Sequence, residues 1–131
     1  MTDEFVGRFE LVESENFDAY MKAVGYGYLV RKMAATIRPI MEIKIEGSKW
    51  TIDLITTFKT IRTEFELGRE FDEDSSDGRK LKSVCHFVDG RLIQKQQGTL
   101  SSSIERYFQD GKLYMILECE GVKATRIYKR L

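Results

Sequence analysis

Beyond Pro39 the chain is cut at short, regular intervals by turn-forming pairs, and that rhythm limits the folds open to it. Glu46-Gly47, Asp89-Gly90, Asp110-Gly111 and Glu120-Gly121 each separate two runs of strand-like residues. Such pairs suit two-residue hairpin turns, and turn signals every ~8–12 residues mark an antiparallel meander. IMEIKI, WTIDLIT, TIRTEFEL, REFDE, RKLKSVCHFV, RLIQKQ, LSSSIERYF, KLYMILECE and VKATRIYKR follow one another in this way, after an earlier strand from Phe5 to Val12. Roughly ten strands in one small domain cannot remain an open sheet with bare edges. A closed barrel or a two-sheet sandwich is expected.

Only one region reads as helical. In NFDAYMKAVGYGYLVRKMAATIRP, Phe17, Tyr20, Met21 and Val24 recur at helical spacing, and Tyr28, Leu29, Lys32 and Met33 form a weaker second stripe. Gly25 and Gly27 separate the two and Pro39 ends the segment, which predicts a helix-turn-helix. The 131 residues make one domain, 1–131.

The strand faces choose between barrel and sandwich. Side chains alternate along a strand, so Val122, Ala124, Arg126 and Tyr128 share one face of the last strand, opposite Lys123, Thr125, Ile127 and Lys129. The inward faces therefore carry Arg106, Arg126, Tyr128, Thr57 and several serines. A dry sandwich core is filled by apolar side chains from both sheets. These faces are too polar for that, and a barrel enclosing a cavity is the better reading.

Composition removes several functions. Lys plus Arg and Asp plus Glu both number 21, so the net charge is zero and the chain lacks the basic footprint of a nucleic-acid binder. The apolar runs are too short to span a membrane as helices. The acidic start, MTDEF, lacks the basic and apolar regions of a signal peptide, so a cytosolic protein with free thiols at Cys85 and Cys119 is expected. His86 is the only histidine and alternates with Cys85, so the two point to opposite faces and cannot form a nucleophile–base pair. Neither a metal-ligand spacing nor a phosphate loop is present. The reading is not an enzyme, with no metal and no cofactor.

GRFELVESENFDAYM resembles the N-terminal signature of the intracellular lipid-binding proteins, the cytosolic fatty-acid-binding proteins, with Gly7, Phe9, Leu11, Asn16, Phe17, Asp18, Tyr20 and Met21 at matching spacings. The resemblance runs on through VGYGYLVRKMAATIRP, TTFKTIRTEFELGREFDE, DGRKLKS, RYFQDGKL and ATRIYKR, over essentially the whole chain. The stretch RLIQKQQGTLSSSIER departs from the family by being shorter and lacking a tryptophan. The resemblance implies a mainly β fold: a ten-stranded antiparallel up-and-down β-barrel, lipocalin/calycin-like, with a helix-turn-helix lid over about residues 16–36. It implies a monomeric cytoplasmic carrier of long-chain fatty acids, with a nuclear presence as a further option. Retinoids, bile acids and a non-carrier role for the lid surface remain open alternatives.

The resemblance also assigns residues. Arg106, Arg126 and Tyr128 would hold a carboxylate, while Phe17, Tyr20, Met21, Met115 and Leu117 would line the apolar tail. Phe58 would gate the portal, Lys59, Asp77 and Arg79 would be polar portal residues, and Lys22, Arg31 and Lys32 would touch anionic membranes or serve nuclear import. The chemistry fits. An unpaired buried guanidinium costs several kcal/mol, and a carboxylate offers it charge-assisted hydrogen bonds. Cys119 is expected beside Met115 and Leu117 on the cavity wall.

Overall fold

Three of the hairpins turn where both central residues have positive φ: Asp89 (51°) with Gly90 (78°), Asp110 (53°) with Gly111 (76°), and Glu120 (52°) with Gly121 (76°). This geometry matches the right-handed twist of the flanking strands. In the computed structural model, which describes residues 2–75 and 79–131, the strands are β1 (Gly7–Glu15), β2 (Ile40–Glu46), β3 (Lys49–Ile55), β4 (Thr60–Glu66), β5 (Phe71–Asp74), β6 (Lys80–Val88), β7 (Arg91–Gln97), β8 (Ser102–Gln109), β9 (Lys112–Cys119) and β10 (Val122–Arg130).

They form a single ten-stranded antiparallel sheet in the order β4-β3-β2-β1-β10-β9-β8-β7-β6-β5. Each strand pairs with its sequence neighbour, except that β1 also pairs with β10 and β4 does not pair with β5. The sheet is thus a nearly closed barrel with one seam. Across the seam, Phe65 stacks on Phe71 at 5.7 Å, and the Gly68 amide donates to the Cys85 carbonyl at 2.8 Å. The seam strands carry charge, and β5 spans only four residues. Short, charged edges are poor templates for pairing with another chain. β1 slips register between Leu11 and Glu13, and this irregularity lets it follow β10 after leaving β2.

One end of the barrel is plugged by aromatics. The expected first strand from Phe5 begins instead at Gly7, and Asp3–Phe5 form a single 3-10 turn. That turn drops Phe5, fully buried, edge-on against Trp50 (5.8 Å), Phe87 (5.8 Å) and Phe108 (5.0 Å). Arg130 holds the turn by donating to the carbonyls of Val6 and Glu4 while lying over the Phe9 ring.

The other end carries the helices α1 (Phe17–Val24) and α2 (Tyr28–Ala34). Asn16 opens α1 in the left-handed region (φ 62°) and donates from Nδ2 to the Lys123 carbonyl at 2.7 Å, pinning the helix start to β10. α1 buries Tyr20, Met21 and Val24, whereas α2 buries nothing. Tyr28, Leu29, Val30 and Met33 of α2 are all exposed. Among the described residues no helix is long and apolar enough to cross a membrane.

Candidate functional site

Arg126, Met115 and Arg106 lie in one row across three adjacent strands, because Met115 pairs with Arg126 on one side and with Arg106 on the other. Two strand spacings put the arginine backbones about 10 Å apart on the same inner face. The β7–β8 register runs without interruption from Leu92 opposite Arg106 to Gln96 opposite Ser102, so the shorter connection leaves Arg106 pointing inward. Arg106 is 6%, Arg126 5% and Tyr128 0% exposed, and all three line an internal cavity.

Each arginine is held differently. Arg126 donates from Nη1 to Ser14 Oγ at 3.0 Å and lays its guanidinium 3.8 Å from the Phe17 ring centroid, a cation–π contact with the lid. Arg106 donates from Nη1 to Gln94 Oε1 at 3.0 Å, while its Nε is buried with no hydrogen-bond partner among the described residues. Burial lowers the pKa of Arg106, the desolvation of its charge outweighing the groups around it.

Behind Arg106 runs a polar chain that inspection of the sequence missed. Glu73 Oε1 accepts from Ser83 Oγ (2.7 Å), Gln94 Nε2 (3.0 Å) and Gln96 Nε2 (3.1 Å). Gln94 therefore links the Glu73 carboxylate to the Arg106 guanidinium. The signal was available: in RLIQKQ, period two places both glutamines on the face of buried Leu92 and away from Lys95. Cys85 faces inward beside this chain, and burial pushes its thiol up to about 12.

The apolar wall combines Phe17, Tyr20 and Val24 of α1 with Met41, Ile52, Leu54, Ile61, Met115 and Leu117. Met21 differs from expectation. It is 3% exposed and belongs to the core cluster, yet it does not line the cavity. At 100° per residue it falls on the flank of the Phe17–Tyr20–Val24 stripe. Cys119 is likewise buried but sits beyond the wall, opposite Ser102 and Val122 near the end of β9. The cavity volume is about 150 Å³. That is below the ~300–1,000 Å³ usual for a site burying a drug-sized molecule, so admitting a long chain requires side chains or the lid to yield.

At the lid end, Phe58 stands 69% exposed in the bend between β3 and β4, where Thr56 Oγ1 accepts from the Phe58 and Lys59 amides. Thr57, expected inside, is exposed in the same bend because β3 ends at Ile55. Leu54 and Ile61 flank that bend and share the cavity wall with Val24 and Tyr26, which places bend and lid at the same end. Lys59 is exposed, Arg79 lines the cavity, and Asp77 lies outside the described residues. Of the lid cations, Lys22 and Lys32 are exposed, but Arg31 is tied back to Asp18 Oδ1 (3.0 Å) and the Tyr26 carbonyl (2.8 Å). His86 is exposed on the face opposite Cys85. Among the described residues no group of three or more potential ligands could hold a metal ion.

Known proteins share this fold. The profile of the lipocalin / cytosolic fatty-acid binding protein family matches residues 6–131. The chain belongs to that family. It is 48% identical to sodium/calcium exchanger regulatory protein 1 of Doryteuthis pealeii, covering 100% of this chain and 99% of that protein. It is 44% identical to fatty acid-binding protein homolog 6 of Caenorhabditis elegans, covering 99% of each. The solved structure of the REP1-NXSQ fatty acid transporter, 48% identical, superposes with a TM-score of 0.95 over 98% of this chain and 97% of that one.

Proposed function

We propose that this protein is a non-enzymatic, monomeric cytoplasmic carrier that takes a long-chain fatty acid into the barrel without a cofactor. The carboxylate sits between Arg106, Arg126 and Tyr128, and the tail runs along Phe17, Tyr20, Met115 and Leu117. The observation that carries this reading is the pair of buried arginines in one row on the inner face of the cavity wall, one with a guanidinium nitrogen that no described residue partners. A carboxylate satisfies that nitrogen, and the tail adds about 0.8 kcal/mol per buried methylene. The names of the relatives 40–48% identical, fatty acid-binding proteins and a fatty acid transporter, favour a fatty acid over a retinoid or bile acid. Lys22 and Lys32 flank the lid and would meet anionic headgroups during delivery.

A second reading is favoured by α2, whose four large apolar side chains are all exposed. The lid surface would then dock a partner, in keeping with the exchanger-regulator name of the Doryteuthis pealeii relative. Calorimetry with oleate separates the two. Arg126→Leu should weaken binding by roughly 2–3 kcal/mol, the scale of a lost charged hydrogen bond, with the fold retained by circular dichroism. Equal affinity of variant and parent removes the head-group assignment, and no oleate binding by the parent leaves only the docking surface.

A further inference from the structure

The cavity is two-sided. Toward β2–β4 its wall is aliphatic apart from Thr63, with Met41, Ile52, Leu54 and Ile61. Toward β5–β8 it presents Glu73, Ser75, Arg79 and Gln96, with Ser102 accepting from Arg79 Nη1 at 3.5 Å and donating to Gln96. Gln96 and Ser102 are 4% and 8% exposed, a buried amide and hydroxyl against the half-buried Glu73 carboxylate.

The polar side has hydrogen-bonding capacity to spare. Gln96 gives an N–H to Glu73 Oε1 at 3.1 Å and accepts from Ser102 Oγ at 2.7 Å through its Oε1. Its amide keeps a second N–H and a second acceptor lone pair. Among the described residues the donors from Ser83, Gln94 and Gln96 converge on Glu73 Oε1, which leaves Oε2 for another donor. Gln96 sits further toward the lid than the arginine row, while Glu73 is joined to Arg106 through Gln94. Leu92 is opposite Arg106, and Gln96 lies four residues further along β7, about 13 Å of strand toward the lid. A carboxylate held at the arginines cannot reach Gln96. The middle of its chain can.

We infer that the Glu73–Gln96 wall is a second polar subsite, and that the protein takes fatty acids bearing a hydroxyl in the interior of the acyl chain. This rests on the carrier reading above. A plain methylene chain leaves the spare N–H and carboxylate oxygen without a partner. A chain hydroxyl can donate to Glu73 and accept from Gln96 at once, and the same hydroxyl against the aliphatic side would lose its water without replacement.

The test is calorimetry of the full chain with stearate and with monohydroxystearates in which the hydroxyl is walked along the chain. These isomers carry nearly the same cost of leaving water, so differences among them read the wall itself. One interior position should bind about fivefold tighter than isomers hydroxylated near either end, the ratio expected of one net hydrogen bond. Gln96→Leu should bring that ratio to about one. If that variant does not fold, the comparison in the parent protein decides alone. Equal binding of all isomers, or a preference unchanged by Gln96→Leu, overturns the inference while leaving the carrier reading intact. Failure of stearate and every isomer to bind overturns both.

Discussion

Cys85 shows how much a single inward position can change the chemistry of a side chain. It is fully buried, and desolvation dominates over the opposing field of Arg106, so its thiol rises to about 12. The thiolate is the nucleophile, and Cys85 should therefore resist iodoacetamide at neutral pH in the native protein and react at once after denaturation. Peptide mass spectrometry reads the difference, and rapid native labelling of Cys85 would contradict its inward placement. The sign for stability follows. Folding holds this proton more tightly than the unfolded chain does, so the contribution is intact below the ordinary thiol value of ~8.5 and is lost as pH climbs through about 12. Cys85→Ala should remove that part of the alkaline loss. On the outer face Asp53 behaves in the opposite sense: Arg62 donates to both its oxygens at 2.8 and 2.9 Å and holds its carboxyl below the ordinary range.

At the scale of elements, α1 and α2 divide the work of the lid. α1 is anchored by Asn16 to β10 and by the Phe17 ring to Arg126, whereas α2 is seated without a buried side chain. Strand pairing seals the wall apart from the β4–β5 seam, so the lid end is where passage costs least. Phe58 sits exposed at that end, in a bend held by Thr56 Oγ1. Phe58→Ala should therefore change fatty-acid association and dissociation rates together by severalfold and leave the equilibrium constant close to that of the parent, as gating acts on the barrier to passage. Stopped-flow fluorescence with a labelled fatty acid measures both rates. A changed affinity with unchanged association would instead make Phe58 part of the binding wall.

For the whole molecule, the seam sets the order of stability. β9 and β10 are paired on both sides, whereas β4 pairs only with β3 and β5 only with β6. Local opening starts where backbone hydrogen bonds face solvent and ends where both neighbours hold the strand. Amide exchange should be slowest in β9 and β10, close to the rate set by global unfolding, and fastest in β5 and the outer edge of β4. Uniform protection around the barrel would mean that the seam is closed in solution. The plugged end, with Phe5 and Trp50 packed edge to face, should exchange with the slow group.

The strands, their turns and the inward set of Arg126, Tyr128, Met115 and Leu117 were legible from the chain alone. Period two and the positive φ of paired turn residues are local properties, written in adjacent residues. The sites that depended on distant partners were not. Arg126 meets Ser14 across 112 positions, and Glu73 meets Gln96 across 23. Arg31 could be read as a free surface cation only until the fold brought Asp18 beside it. Phe5 looked like a strand residue until barrel closure left an open end for it to fill. Alternation tells which way a side chain points; only register and closure decide what it finds there.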